Sequence, residues 1–443
     1  MAAELFPGLL GLWIALAPIK FGNPVILDRQ VAVPQSITEA IYQSWPAAWG
    51  HALLVLVAIV GAVAHLPFGG QAKPRSSTPH LLDPTERHWR QQGAGALPWL
   101  CLGWCCWQTI SAWATVDPSL SRPVLSHFLA CGLTYLMGYR MTSAAAETPS
   151  SRSFWLGVAG GWLVVVAIGW RQHFGGLAET REYFYSLPDW RTQPPELIAK
   201  IASERIYSTL VYPNALAGAV LLTTPPLVLG IWALSRRWNA WVRMASASVL
   251  VMGAAGCLVW SGSKAGWLIA LAVVAVAWLV RAAWSRSGVR WLWLVAGLAV
   301  ALGLFWHRYH DYFARGATSA SARVDYWRVA WSNSTAHPLL GTGPGTFMRI
   351  YSRAKPPTAE MTRLVHNDYL QQATDSGWPG AILFAGLAVG ALVCGYRRDL
   401  PVISFGIWLG VLGISGQSLV EFGLYIPGLA WPWFLGLGYL SRK

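Results

Sequence analysis

The stretch TLVYPNALAGAVLLTTPPLVLGIWAL, residues 209–234, decides the class of fold, because it contains no charged residue. A helix needs about 20 mostly apolar residues to cross the hydrocarbon core of a membrane, and this stretch is longer than that. The whole chain has the same character: 54% of its residues are hydrophobic and 12% are charged, whereas soluble domains are about one-quarter charged. These values exclude an ordinary soluble protein and a disordered one, and they predict an integral membrane protein.

Similar apolar windows recur along the 443 residues and predict an all-α, polytopic membrane protein with about 12 transmembrane helices. The windows are too long for strands of a membrane β-barrel, which have about 10 residues of alternating polarity. No basic region precedes the first window, so we expect a retained helix rather than a signal peptide. The windows are residues 5–22, 45–67, 96–115, 123–140, 153–171, 209–234, 243–260, 265–281, 290–306, 377–395, 401–420 and 424–440.

The distribution of Lys and Arg predicts the orientation of these helices, because cytoplasmic connections carry an excess of both residues. One set of connections holds 16 of the 33 basic residues with only four acidic ones, which places this set in the cytoplasm. An even number of spans then leaves both termini cytoplasmic. About half of the basic residues are thus explained by topology, so the net charge of +14 does not predict a nucleic-acid partner. The set comprises residues 68–95, 140–152, 235–243, 281–290, 396–400 and 441–443.

Two long polar segments, residues 172–208 and 307–376, fall on the opposite side of the membrane. We expect residues 1–443 to form a single membrane domain that works on the side of these two segments. In the second segment the apolar spacing of residues 321–336 predicts a helix. The Gly/Pro-rich run that follows, residues 341–345, could bind phosphate through its backbone amides, but a tight turn that positions the next helix is the better interpretation.

His366 is the candidate catalytic residue of the second segment. The sequence places it near the beginning of a helix, where the helix dipole disfavours the imidazolium form, so a neutral imidazole could act as a base. The alternative is a hydrogen-bonded histidine with a structural role at the junction of a loop and a helix. His337 lies directly before a proline and is interpreted as a turn residue.

Four basic residues could form a cationic pocket for phosphate at the outer end of the helices. An arginine guanidinium can bind a phosphate through two hydrogen bonds, which favours this chemistry. Lys264 follows a very short connection between two apolar windows, and its alternative role is to extend its ammonium group toward the membrane surface. Asn214 follows a proline at the head of an apolar window, where a polar residue is costly and usually functional. The four basic residues are Arg205, Lys264, Arg323 and Arg328.

A spaced motif gives the sequence its family resemblance. His366-Asn367 is followed by nine residues and then by Gly377-Trp378-Pro379-Gly380. This pattern resembles the O-antigen ligase and polymerase superfamily of bacterial envelope glycosyltransferases. Two further stretches support it between about residues 200 and 380: Arg205…Pro213-Asn214…Ala217, and Arg323…Trp327…His337-Pro338-Leu339-Leu340-Gly341. One departure is Lys264, since many relatives carry Arg at that turn.

The resemblance implies a GT-C-like membrane glycosyltransferase in the bacterial inner membrane, with its active site on the periplasmic face. The donor would be O-antigen linked to undecaprenyl diphosphate, and the acceptor a sugar hydroxyl of lipid A–core. His366 would be the catalytic base, while Arg205, Lys264, Arg323 and Arg328 would bind the donor diphosphate. Asn214, His337 and Asn367 would support the site. No metal and no cofactor are expected, and membrane lipids are the further partners.

Three other functions remain open at this stage. An O-antigen polymerase and a protein O-oligosaccharyltransferase share the donor chemistry, and they differ in an acceptor pocket that the sequence does not reveal. A polytopic lipid or oligosaccharide transporter would instead require internal repeats and broken or charged helices near the middle of the bilayer. We find no convincing repeat between the two halves of the chain, which favours the transferases.

Overall fold

The computed structural model describes residues 2–64, 84–141, 152–193, 195–235, 237–282, 288–314, 318–357 and 359–442. Several connections that we predict to be cytoplasmic lie partly outside the described residues. They are residues 68–95, 140–152, 235–243, 281–290 and 441–443. The sidedness of these connections therefore stays a prediction.

The described residues form α-helices joined by short turns, with no β-strand among them, so the predicted all-α class is confirmed. Short 3-10 turns at Val25–Gln30, Trp190–Thr192 and Gly423–Tyr425 and a π-turn at Gln172–Gly176 complete the secondary structure. The helices are α1 Ala2–Lys20, α2 Ile37–Tyr42, α3 Ala47–Ala64, α4 Pro84–Trp113, α5 Pro118–Arg140, α6 Arg152–Arg171, α7 Leu177–Ser186, α8 Pro195–Ala202, α9 Pro213–Leu234, α10 Ala240–Ser261, α11 Lys264–Ala282, α12 Gly288–Ala314, α13 Thr318–Ala336, α14 Phe347–Ala354, α15 Asp368–Gly395, α16 Val402–Gln417 and α17 Pro427–Ser441.

Each of the twelve apolar windows overlaps one of these helices. By length and composition, five helical stretches among the described residues are able to cross a membrane, and three shorter apolar helices accompany them. The chain is therefore a membrane protein, while the count of about 12 spans stays a prediction. The five are Arg152–Ser186, Pro213–Leu234, Ala240–Ser261, Lys264–Arg281 and Asp368–Gly395, and the three are Leu5–Lys20, Ala47–Val63 and Val402–Gln417.

The bundle is organised around helix pairs that pack closely: α9 with α16, α5 with α17, α1 with α6, and α4 with α15. Glycine makes these approaches possible, as is usual between membrane helices. At the crossing of α5 and α17, a Cβ added to Gly438 would lie 1.9 Å from the Tyr135 carbonyl oxygen. Helices α10 and α11 lie at the periphery, where they expose many apolar side chains such as Met252 and Val274.

The described residues of the two long polar segments, 172–208 and 307–376, are largely helical, although their helices do not stop where the apolar windows stop. Helix α12 continues past residue 306 to Ala314, and α15 begins at Asp368, nine residues before the window at 377–395. At about 1.5 Å per residue, these helices exceed the roughly 30 Å hydrocarbon core, so hydropathy alone underestimates their length. The helix predicted for residues 321–336 is confirmed as α13.

Candidate active site

Polar side chains converge where α9, α11 and α15 begin and where α16 ends, so they share one end of the bundle. Arg205 precedes α9, Lys264 opens α11, and His366 and Glu421 lie next to α15 and α16. A cavity of about 120 Å³ lies among these helix ends. Its walls combine polar and apolar side chains from Arg205, Tyr212, Pro213, Asn214, Ala215, His366, Ile414, Gln417, Ser418, Glu421, Phe422, Gly423, Ile426 and Leu429.

The His366 imidazole and the Glu421 carboxylate form the centre of the site. Nδ1 of His366 lies 3.3 Å from Oε2 of Glu421, and the two side chains are 25% and 7% exposed. The imidazole edge packs against the Phe422 ring at a centroid distance of 4.7 Å. When the Nδ1 hydrogen points at Glu421, Nε2 has a free lone pair and can accept a proton.

The backbone of His366 has a φ of 56°, a conformation that residues other than glycine rarely adopt. Such strained residues persist only where their surroundings fix them, and they concentrate at functional sites. Here the Val365 amide donates to Oε1 of Gln371, and the Asp368 amide donates to the Ser418 carbonyl. Val365 and Asp368, on either side of His366 and Asn367, are therefore hydrogen-bonded to buried partners.

Glu421 also connects two of the predicted cationic residues to the histidine. Its Oε1 accepts hydrogen bonds from the Arg323 guanidinium and, at 2.6 Å, from Nδ2 of Asn214. Asn214 in turn accepts a hydrogen bond of 2.8 Å from Nη2 of Arg205. The structure thus brings Arg205, Asn214 and Arg323 together around one carboxylate.

Residues of the turn between α10 and α11 contact the Arg205 side chain and hold it in position. Nε of Arg205 donates to the Ser261 carbonyl at 2.7 Å, and a Cβ added to Gly262 would lie 3.2 Å from the same Nε. Gly262 ends α10 with φ of 60°, a conformation that suits glycine. Burial lowers the pKa of Arg205, and the Glu421 charge opposes that effect, so the guanidinium stays protonated.

Lys264 belongs to the same cationic group, but it forms no ion pair with Glu421. The positive charges of Arg205, Arg323 and Arg308 are close enough to repel that of Lys264. Its Nζ lies 3.9 Å from the ring centroid of Tyr312 and 5.1 Å from that of Tyr309. Within the described ranges Lys264 forms no ion pair with a carboxylate, so it presents its charge against aromatic rings.

Arg328 lies apart from this cluster. Its side chain is 73% exposed and pairs with Asp325 on its own helix at 3.4 Å. Five residues along an α-helix turn the side chain by about 140°, so Arg328 and Arg323 cannot point the same way. A phosphate-binding role for Arg328 gains no support from this placement.

The two predicted supporting residues next to helix ends make local contacts. Asn367 is the N-cap of α15, where its Oδ1 accepts a hydrogen bond of 3.0 Å from the Leu370 amide. His337 is exposed just after α13, and its carbonyl accepts a hydrogen bond from the Gly341 amide. The helix that we expected near His366 therefore begins two residues later, at Asp368.

The Gly/Pro-rich run at residues 341–345 is a buried turn whose amides are already used. The Thr342 and Gly343 amides donate to the carbonyls of Thr374 and Asp375, and the Gly345 amide donates to Oδ2 of Asp375 at 2.7 Å. These amides face α15 rather than the cavity. This agrees with the interpretation of the run as a tight turn. The backbone amides of the run are not available to bind phosphate.

The same contacts explain the spaced glycines of the motif. Gly377 interrupts α15 with φ of 71°, and a Cβ there would lie 2.1 Å from the Leu339 carbonyl oxygen. The next amide, that of Trp378, donates to the Pro338 carbonyl at 2.8 Å. The Gly-x-x-Gly element and the His-Pro-Leu-Leu-Gly stretch thus pack against each other. This contact fixes the position of the helix that follows His366.

Sequence reasoning missed Glu421. The signal was available, because Glu421 is a single acidic residue between the apolar windows 401–420 and 424–440, and ionisable residues in such places are usually functional. In the part of the chain that the structure describes, no three His, Cys, Asp or Glu side chains lie together as a metal site would require. Independence from a metal stays a prediction.

The fold and the site define a class of protein: an all-helical membrane protein with a histidine–carboxylate pair among fixed cations at one end of its helices. Residues 247–385 match the family model described as O-antigen ligase. The match contains Lys264, Arg323, His366 and the glycines of the motif, so the resemblance seen in the sequence is confirmed there. No match to a curated protein was found.

Proposed function

We propose that this protein is an O-antigen ligase of lipopolysaccharide biosynthesis. It transfers O-antigen polysaccharide from undecaprenyl diphosphate to a sugar hydroxyl of lipid A–core, at the periplasmic face of the bacterial inner membrane. The observation that carries the proposal is the pairing of His366 with Glu421 in a cavity that also contains Arg205. A base and a set of cations in one cavity provide the two groups that this transfer needs.

In the proposed reaction, the acceptor hydroxyl oxygen attacks the anomeric carbon of the donor while Nε2 of His366 takes its proton. The bond between the anomeric carbon and the phosphate oxygen breaks, and undecaprenyl diphosphate leaves with the bonding electrons. Attack from the face opposite the leaving group inverts the anomeric configuration. Glu421 then stabilises the imidazolium through Nδ1, as the carboxylate of a catalytic triad does.

The cations stabilise the charge that develops on the diphosphate. Arg205 and Arg323 each keep donors beyond those that bind Asn214, Ser261 and Glu421, because a guanidinium has five N–H groups. Nε of Arg323 is buried and has no hydrogen-bond partner among the described residues, which supports a role toward a polar ligand. Lys264 adds a charge that no carboxylate of the described residues neutralises. Fixed cations of this kind do not require a metal to stabilise a leaving group.

The proposal is tested by reconstituting the purified protein with both lipid substrates, without added metal or nucleotide. We expect product that carries O-antigen on lipid A–core. Elongated undecaprenyl-linked chains would instead identify a polymerase, and glycosylated protein an O-oligosaccharyltransferase. Binding of the donor without any transfer would contradict all three and favour a transporter.

Replacing His366 with Ala tests the proposed base directly. General-base catalysis contributes about 10²–10⁴-fold, so we expect His366→Ala to lower kcat by at least that amount. Replacement of His310 by Ala is the matched control, because His310 is exposed and does not line the cavity, so this variant should retain activity. Ligation at the wild-type rate by His366→Ala would refute the catalytic assignment.

A further inference from the structure

A second, larger cavity lies at the end of the bundle opposite the candidate active site. It is an apolar crevice of about 920 Å³ between the beginning of α6, the end of α9 and α10. This volume is at the upper end of the roughly 300–1,000 Å³ that ligand pockets occupy. Its walls are Arg152, Trp155, Leu156, Ala159, Leu227, Gly230, Ile231, Leu234, Ser235, Arg237, Trp238 and Ser246.

The mouth of the crevice is positively charged and aromatic. Arg152 and Arg237 are exposed there, and neither forms an ion pair with a carboxylate of the described residues. Trp238, which is 55% exposed, and the buried Trp155 line the same crevice, and tryptophan is typical of the layer where a membrane meets water. The crevice therefore combines an apolar floor, suited to lipid tails, with two guanidinium groups that no carboxylate of the described residues neutralises.

We propose that this crevice binds an anionic phospholipid. The phosphodiester group accepts hydrogen bonds from Arg152 and Arg237, and an acyl chain lies against Leu227, Ile231 and Leu234. Charge complementarity favours an anionic lipid, because basic pockets between transmembrane helices bind anionic headgroups, while a zwitterionic lipid brings an ammonium group to two arginines.

The donor substrate does not fit this position. Helix α9 has 22 residues, so its two ends are about 33 Å apart, with the candidate active site at its beginning and the crevice at its end. A diphosphate held by Arg152 and Arg237 could not reach His366. The inference is therefore independent of the proposed function.

Native mass spectrometry of the purified protein tests the inference with two probes, phosphatidylglycerol and phosphatidylethanolamine. We expect phosphatidylglycerol to be retained preferentially. Each basic residue near anionic lipid contributes about fivefold in affinity, so Arg152→Gln and Arg237→Gln combined should weaken retention by more than tenfold. Arg140→Gln is the matched control, because Arg140 is an exposed arginine at the same end of the bundle outside the crevice.

A second variant tests the apolar part without changing charge. A Cβ added to Gly230 would meet no heavy atom within 4 Å, so Gly230→Leu extends into the crevice without a clash. We expect this variant to fold and to lose phosphatidylglycerol retention while both arginines remain. Equal retention of the two lipids by the wild type, or unchanged retention in both the arginine variant and Gly230→Leu, would overturn the proposal.

Discussion

At the scale of single residues, the site depends on one carboxylate that joins groups from three other parts of the chain. Glu421 accepts hydrogen bonds from Asn214 and Arg323 and faces Nδ1 of His366. Sequence analysis identified these three partners as site residues but not the group that connects them. A single acidic residue gives no spacing to a partner residue. Its contact with His366 became visible only when the beginning of α15 and the end of α16 were placed side by side.

Glu421→Gln tests this carboxylate. The substitution keeps the size of the side chain and removes the charge that stabilises the imidazolium, so we expect kcat to fall by about 10²-fold or more with a smaller change in KM. Steady-state ligation kinetics measure the split between kcat and KM. Glu360→Gln, at an exposed acidic residue of the segment that carries His366, should keep the wild-type rate.

A KM effect alone would assign Glu421 to substrate binding through Arg323 rather than to the histidine. Wild-type values of both kcat and KM in Glu421→Gln would remove the carboxylate from the proposed mechanism altogether.

Lys200 gives a prediction on pH at the same scale. Burial lowers the pKa of Lys200 from its ordinary value of 10.5 to about 8, and its ammonium lies 4.5 Å from the Tyr212 ring centroid. A lysine whose pKa is lower in the folded than in the unfolded state opposes folding most at low pH, and this cost disappears as pH rises from about 8 to 10.5. The wild type should therefore become more stable across that window.

Lys200→Met should remove this cost. We expect the variant to unfold at a higher temperature than the wild type at pH 7 and at the same temperature near pH 10.5. Thermal unfolding of the purified protein at both values measures the difference. A gain of equal size at both pH values would mean that apolar packing, and not the buried charge, accounts for it.

At the scale of elements, the kink of α15 connects the motif to the position of His366. Apolar length predicted the helix, and His366 was expected near its beginning, but sequence could not show that the kink packs on residues 338–339. That contact joins residues about 40 positions apart and leaves no local periodicity. The Gly/Pro-rich run was correctly interpreted as a turn, because its glycines and proline favour the backbone conformations of a turn.

Gly377→Ala tests the kink. A side chain at φ of 71° costs about 1–3 kcal/mol, and the close Leu339 carbonyl adds a steric penalty, so we expect a clear loss of thermal stability and of ligation. Gly386→Ala on the same helix is the control, because its Cβ would lie 3.6 Å from the nearest side-chain atom. Equal stability of the two variants would mean that the kink relaxes without cost.

At the scale of the whole molecule, composition was enough to predict the class of fold. It predicted a helical membrane protein, and each of the twelve apolar windows overlaps a helix. The lengths of α12 and α15 could not be predicted from hydropathy, because these helices continue into polar sequence. The structure places Arg205, Lys264 and Arg323 near one another, whereas Arg328 differs from Arg323 in helical phase and pairs with Asp325. The diphosphate-binding role of all four residues stays a prediction.

The predicted orientation is tested by labelling cysteines in intact cells. In a cysteine-free background, Ser332→Cys lies at the exposed side of α13, near the candidate active site, and Arg398→Cys lies at the other end of the bundle. A thiol reagent that cannot cross the inner membrane should label the first and not the second. Labelling with the opposite pattern would place His366 in the cytoplasm and exclude a periplasmic reaction.

The order of the site residues along the chain has a consequence for biosynthesis. Arg205, Lys264, Arg323 and His366 all leave the ribosome before Glu421 does. A nascent chain that has stalled before position 421 holds several positive charges and an unpartnered imidazole, without the acid that organises them. Under the proposed function, a chain that ends before Glu421 would therefore lack the carboxylate that pairs with His366, and we expect transfer to begin only after the last helices have been inserted.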